Sequence, residues 1–185
     1  MKRCRIHIFG ASGSGTTTLG RALAQELAFS HHDTDEFYWL PTVPPFKRKR
    51  AVHDRIRLMR EMFTPRADWI LSGSMESWGE DIHKLFDYLI FLQAAADVRV
   101  ARLQDRERRH FGTDAVSEGG WRHGDTQEFT EWASRYEHGD RGGRTLARHE
   151  AWLHTLDCPI LRLDGTQPID TLVQKSLRFV GKDGA

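Results

Sequence analysis

Short apolar runs alternate along this chain with longer stretches of helical character, the pattern of strands feeding helices in a parallel sheet. Ile6-His7-Ile8-Phe9 predicts a strand over about 5–9, and the stretch Leu19 to Leu27 predicts a helix over about 16–28. A short second strand ends near His32, just before Asp33-Thr34-Asp35. Past the proline-containing stretch Leu40 to Pro45, Ile56, Met59 and Met62-Phe63 stand at helical spacing in a basic segment. Trp69-Ile70-Leu71 and Tyr88-Leu89-Ile90-Phe91-Leu92 read as buried strands. An arginine-rich helix is expected from Asp97 to His110, then a glycine-rich segment around Phe111-Gly112 and Gly119-Gly120. Helices near 126–138 and 144–156, a strand over 159–163 and a helix from Ile169 to Val180 complete the pattern. The expectation is a single α/β domain over 1–185, with an about five-stranded parallel sheet and helices on both faces. No repeat or low-complexity tract interrupts it.

The turn between the first strand and the first helix carries the chemistry. Gly10-Ala11-Ser12-Gly13-Ser14-Gly15-Thr16-Thr17-Thr18 follows the spacing G-x-x-x-x-G-K-[ST], except that Thr16 stands in the lysine slot. In this setting glycines let successive backbone N–H groups converge on a phosphate, and the helix N-terminus adds its positive end. The candidate nucleotide ligands are therefore Gly10, Ser12, Gly13, Ser14, Gly15, Thr16, Thr17 and Thr18, with the Thr17 hydroxyl offered to Mg²⁺. A plain strand-to-helix turn, with Thr16 to Thr18 serving only as N-cap hydroxyls, is the alternative. Without the lysine, either transfer is lost or another cation takes its place. Arginine suits that task, being always charged and able to grip phosphate with a planar fork.

Composition narrows the field. A chain of 185 residues is long enough to bury a real core. Its 27 basic and 26 acidic residues give a net charge of +1, so neither nucleic acid nor a membrane surface is expected as a partner. No apolar run approaches membrane-spanning length, and the opening Met1-Lys2-Arg3 leads into a strand rather than a signal peptide. The two cysteines, Cys4 and Cys158, sit at strand starts and suggest no disulfide framework, which points to a reducing cytoplasm. The ten histidines show no ligand pattern, and structural or solvent roles are expected of them.

With these residues in view, the chain resembles the small P-loop kinases of the nucleoside-monophosphate kinase group, among them adenylate, cytidylate, shikimate and gluconate kinases. Its Gly13-Ser14-Gly15-Thr16-Thr17-Thr18 loop is similar to that of archaeal cytidylate kinases, which also carry threonine in the lysine slot. Leu163-Asp164-Gly165-Thr166-Gln167-Pro168 resembles the adenylate-kinase segment beside the adenine base, which makes Gly165 a nucleotide-binding candidate. Asp33-x-Asp35 resembles the shikimate-kinase pair, whose first aspartate helps hold Mg²⁺ and whose second meets the substrate hydroxyl. The resemblance implies a three-layer P-loop NTPase fold, ATP and Mg²⁺ as cofactors, an acceptor-binding insert at about 36–66 and a lid at about 108–126. After the third strand the chain departs from the group. It reads Ser72-Gly73-Ser74-Met75-Glu76, where adenylate kinases have Asp-Gly-Phe-Pro-Arg and shikimate kinases a triple-glycine turn.

Phosphoryl transfer needs positioning and charge more than covalent help. Thr17 and Asp33 are the metal candidates, and Asp35 is placed to orient an acceptor hydroxyl or act as its base. The bland reading of Asp33 is a helix N-cap in a solvated turn. Arg99, Arg102, Arg106 and Arg109 share one helix face. Arg102 and Arg106 sit where this kinase group has arginines leading into the lid, and Arg99 is expected at the surface. Arg141, with Arg135 and Arg144, is a candidate for transition-state charge. Lys47-Arg48-Lys49-Arg50 reads as a solvated face or an anion attractor, and Arg55 and Arg57 as weaker acceptor ligands. Phe37, Tyr38, Trp39 and Trp78 either stack on a base or close the core. The leading function is ATP-dependent phosphoryl transfer to a nucleoside monophosphate. Transfer to a hydroxylated acid or sugar is second. The third is a nucleotide-binding regulator like the DNA-topology-modulation proteins, to which the opening of 33–40 is similar.

Overall fold

A computed structural model describes residues 3–140 and 142–182 of the chain. Five strands, β1 (Cys4–Gly10), β2 (His31–Asp33), β3 (Asp68–Ser72), β4 (Tyr88–Gln93) and β5 (Ile160–Asp164), form a sheet in the order β2-β3-β1-β4-β5. All neighbouring pairs are parallel, with Ile6 opposite Ile70 on one side and Tyr88 on the other. The helices are α1 (Thr16–Leu27), α2 (Thr34–Tyr38), α3 (Val52–Met62), α4 (Glu80–His83), α5 (Ala96–Phe111), α6 (Thr113–Val116), α7 (His123–Ser134), α8 (Leu146–Leu153) and α9 (Ile169–Phe179). Among the described residues no helix is long and apolar enough to cross a membrane.

Why the strands read as continuous apolar runs is visible in the packing. Side chains alternate faces along a strand, so a strand covered on both sides needs apolar residues at every position. Cys4, Ile6 and Ile8 of β1 face Leu19 and Leu23 of α1 and Leu172, Val173 and Leu177 of α9. Phe9 faces the opposite layer, built from Phe37 of α2, Met59 of α3, Ile82 of α4 and Trp152 of α8. The result is the three-layer arrangement expected, with all five predicted strands in place.

Three short helices were invisible in the apolar pattern. In α2 the Asp33 side chain accepts from the Asp35 amide and Glu36 reaches back to the Asp33 amide, a capping box that starts a helix of only five residues. Helices α4 and α6 have four residues each, too few for periodicity to register. Helix α7 begins earlier than its pattern suggested, because its buried face is Thr126, Thr130 and Ala133 rather than large apolar residues.

Arg99 corrects the expectation of a surface residue: it is 0% exposed. Helix α5 buries Arg99, Leu103 and Glu107 along one stripe. Arg99 donates to both Glu137 carboxylate oxygens at 2.7 Å, and Glu107 accepts from Arg122 at 3.2 Å. Those partners come from distant chain, which is why a stripe with two charged members looked solvated.

His7, in the middle of β1, is wholly buried and stacks on Phe86 at 4.6 Å. Its Nδ1–H donates to the Leu71 carbonyl at 3.1 Å, while Nε2 has no hydrogen-bond partner. Burial, reinforced by His83 and His149 nearby, pushes its pKa down to about 3 from the usual 6.5. The unfolded chain therefore binds this proton below pH 6.5 and the folded chain does not until about pH 3. The resulting stability is present above pH 6.5 and drains away as the pH falls toward 3, by up to about 1.4 kcal/mol per pH unit. His7→Phe is expected to flatten the dependence of the urea midpoint on pH between 7.5 and 4.5, by about one proton's slope.

Candidate active site

From β1 the chain moves toward one edge of the sheet, to β2, whereas from its neighbours β3 and β4 it moves toward the other, and such a switch point opens a crevice at the carboxyl ends of the strands. Residues 10–15 turn into α1 at that point. At two positions the turn is pressed so closely on its surroundings that a side chain does not fit. A Cβ on Gly10 would lie 2.2 Å from the Leu92 carbonyl oxygen, and one on Gly13, at φ 83°, would lie 2.5 Å from that of Arg99. Gly15 is the N-cap of α1, and no side chain caps the helix. Thr16, Thr17 and Thr18 are therefore not N-cap residues, and the helix leaves its first amides for an anion. Ser14 is buried, and its Oγ has no hydrogen-bond partner among the described residues. Thr16 is half-buried and Thr18 exposed.

Two arginines of α5 brace this loop. Arg99 Nη1 donates to the Ser12 carbonyl at 3.4 Å and to that of Ala133 at 3.0 Å. Arg102 Nη1 donates to the carbonyls of Gly165 at 3.0 Å and Ser14 at 3.4 Å. Gly165 itself lies so near that a Cβ on it would meet the Ser14 carbonyl oxygen at 2.4 Å. Arg102 and Gly165 thus border the loop together.

On the other side of the loop stands Asp33, at the end of β2. Its Oδ2 accepts from the Thr17 hydroxyl at 2.7 Å and the Ser72 hydroxyl at 3.1 Å, and its Oδ1 accepts from the Asp35 amide at 3.0 Å. The N-cap role and the pairing with Thr17 hold together in one carboxylate. Ser72, whose proton goes to Asp33, accepts in turn from His31 Nε2 at 2.9 Å. A hydroxyl oxygen and a carboxylate oxygen, side by side at an anion-binding loop, are hard donors suited to Mg²⁺. Ser72 was not among the expected site residues. The signal for it was the missing acidic residue at the end of β3, since the neighbouring strand supplies the carboxylate instead.

Asp35 lies in the same crevice, open to solvent yet crowded by protein. Crowding, and then the Asp33 charge, raise its pKa above the ordinary carboxylate range, while Arg144, Arg106 and a hydrogen bond from Trp39 oppose the rise. Arg106 stands over the Phe129 ring at 5.8 Å and Arg144 over the Trp132 ring at 5.2 Å, two rings of α7 that stack on each other. Among the described residues neither arginine pairs with a carboxylate. Arg141 lies outside the described residues.

Other candidates are drawn elsewhere. Arg55 is buried, donates to the Arg50 carbonyl at 2.7 Å and lies between the Tyr38 and Trp78 rings at 3.9 and 5.1 Å, so it is a structural strut rather than an acceptor ligand. Arg57 pairs on the surface with Asp54 and Glu61. Arg109 pairs with Asp105, and Arg135 with Asp140. Phe37 and Trp78 are core residues. Lys47, Arg48 and Lys49 are exposed, Lys47 on Asp125 at 2.6 Å. Arg50 turns inward to the carbonyls of Phe37 and Trp39.

Comparison with known proteins fits this geometry. The chain is 36% identical over 178 residues to the uncharacterized protein YqaC of Bacillus subtilis (strain 168), covering 96% of this chain and 98% of that protein. In fold it is similar to a shikimate kinase from Bacteroides thetaiotaomicron, with a TM-score of 0.55 at 18% identity over 96% of this chain and 98% of that one. A gluconokinase from Sinorhizobium meliloti 1021 aligns with a TM-score of 0.52 at 15% identity over 98% and 93%. No protein-family model matches the chain. At these identities the solved structures establish the fold, which is that of the P-loop kinases.

Arg99→Met tests how far the buried guanidinium braces the loop. Removing a buried charge that carries several hydrogen bonds is expected to lower unfolding stability by about 3 kcal/mol, read as a shift in the urea midpoint.

Proposed function

Because this chain belongs to the family of Bacillus subtilis YqaC and folds as the P-loop kinases do, we propose that it transfers the γ-phosphoryl group of Mg·ATP to a hydroxyl of a small polar acceptor. One observation carries this reading: the two carboxylates after β2 are divided in their partners. Asp33 is committed to Thr17, Ser72 and the α2 cap. Asp35 faces the crevice with a raised pKa, against the charges of Arg106 and Arg144. A carboxylate so placed accepts the hydrogen of an attacking hydroxyl and holds its oxygen in line.

In this reading the amides of residues 10–18 hold the phosphates, and Thr17 with Asp33 holds Mg²⁺. A magnesium ion held by Thr17 and Asp33 would supply positive charge against the phosphates during transfer. Arg106 and Arg144 supply the fixed positive charge that Thr16 does not. Arg102 and Gly165 border the base, residues 108–126 close over the phosphates, and 36–66 shape the acceptor side. The solved neighbours named as shikimate kinase and gluconokinase support a hydroxyl acceptor. So does the commitment of Phe37 and Trp78 to the core and of Tyr38 to Arg55, which leaves few rings for a second base. A nucleoside monophosphate is the second reading, favoured by the two unpaired arginines, which suit an acceptor phosphate.

ADP formation from Mg·ATP with shikimate, gluconate, AMP and CMP offered separately tests the proposal. Turnover with a hydroxylated acid is expected, and turnover with AMP or CMP alone would favour the second reading. Asp35→Asn is expected to lower kcat by roughly 100-fold or more while leaving the KM for ATP within about threefold. Thr16→Lys is expected to change turnover by less than about tenfold, since arginine already supplies the charge. A silent wild type that gains activity on this substitution would overturn the reading.

A further inference from the structure

A second hydroxyl in the loop after β3 is used by nothing described so far. Ser74 is half-buried and lies two residues beyond Ser72, at the carboxyl end of the sheet. Gly73 between them, at φ 101°, packs so closely on α2 that a Cβ there would lie 2.0 Å from Thr34 Oγ1 and 3.4 Å from Asp33 Oδ1. Ser74 is thus carried on the same wall as the carboxylate that pairs with Thr17.

Behind it runs a buried polar relay. Ser74 Oγ lies 3.3 Å from His149 Nε2, and His149 Nδ1 lies 2.7 Å from the Tyr136 hydroxyl. His149 is wholly buried, with the rings of Phe9, Phe91 and Tyr136 set against it at 5.1, 6.1 and 5.3 Å. Burial, helped by Arg144 and Arg148, pushes its pKa down to about 3, so the ring is neutral and carries one N–H. Which nitrogen holds it follows from the phenol. The only hydrogen-bond partner of the Tyr136 hydroxyl among the described residues is His149 Nδ1. A buried hydroxyl proton is satisfied only if that nitrogen is bare. The ring proton therefore sits on Nε2 and is donated to Ser74 Oγ. With its oxygen occupied from behind, Ser74 has its own proton left to donate outward.

We propose that Ser74 is an acceptor-binding residue, donating a hydrogen bond to a carboxylate, carbonyl or phosphate oxygen of the phosphoryl acceptor, with His149 and Tyr136 as positioning residues that fix the direction of its proton. The inference rests on the kinase reading above. A plain tie between this loop and α8 is already provided next door, where Arg148 pairs with Glu76 at 3.1 Å. A tie alone is made as well by apolar contact, without a polar chain in the core. A donor aimed at a ligand does require that chain.

The test compares wild type, Ser74→Ala, Ser74→Thr, Tyr136→Phe and the Ser74→Ala/Tyr136→Phe double variant. ADP formation is measured with whichever of AMP, CMP, shikimate and gluconate the wild type turns over. Loss of one hydrogen bond to a charged oxygen is expected to raise the acceptor KM of Ser74→Ala about 10- to 100-fold, with the KM for ATP and the thermal midpoint near wild type. Ser74→Thr, which keeps the hydroxyl, is expected to retain most of the affinity. Tyr136→Phe frees the histidine to exchange tautomers, so its acceptor KM rises as well, and the double variant is no worse than Ser74→Ala. Two-bond ¹H–¹⁵N correlations report the His149 tautomer directly, and Nε2–H is expected.

An active wild type whose acceptor KM is unmoved by Ser74→Ala overturns this assignment and leaves the kinase reading standing. An Nδ1–H tautomer does the same, as does a KM rise matched by equal losses in ATP affinity and thermal midpoint. A wild type that forms ADP with none of the four acceptors overturns the kinase reading and this assignment with it.

Discussion

The Asp33 carboxylate joins three elements that the chain delivers separately. Thr17 at the start of α1, Ser72 at the end of β3 and the amide of Asp35 in α2 all donate to it. A carboxylate offers about four lone-pair directions, so a buried or half-buried one is stable only when several donors converge. Here the convergence sets the separation between the glycine loop and the crevice wall. It also explains how β3 can end in serine. The carboxylate beside the glycine loop comes from the adjacent strand, and Ser72, itself bonded to His31, links the two strands.

Convergence of partners governs the arginines as well. A guanidinium has five donors in a rigid fork, so it can be buried wherever carbonyls and a carboxylate meet it. Arg99 is buried on this principle between the loop, α7 and Glu137. Arg122 is held by Glu107 and Asp125. Arg55 is held by a carbonyl and two rings. These residues stiffen the walls. Arg106 and Arg144 rest on the rings of α7 without a carboxylate partner among the described residues.

The second face of the sheet carries a row of neutral imidazoles beneath the crevice. His7 is hydrogen-bonded to Leu71, His83 donates to Met75 and accepts from Trp152, and His149 lies between Tyr136 and Ser74. Each is held neutral chiefly by burial, so each fixes a tautomer rather than a charge. Fixed hydrogen-bond direction is carried by this row from the core to the loop after β3, at Met75 and Ser74.

Apolar runs were enough to determine the parallel α/β fold, and glycine spacing singled out the tight turn between β1 and α1. These features are local. A strand buried on both faces must be apolar throughout, and a loop pressed on Leu92 and Arg99 must carry glycine, so each leaves its mark within a few residues. What depends on distant pairing left no such mark. Arg99 looked solvated because Glu137 and Ala133 are far along the chain, and Arg55 looked available because Tyr38 and Trp78 are. Ser72, Ser74 and His149 looked ordinary until the fold brought Ser72 to Asp33 and Ser74 to His149. Sequence determined which elements form and where the tight glycine turn lies. Tertiary structure alone decided which charges are buried struts, because burial and hydrogen-bond direction belong to pairs of residues and not to either one.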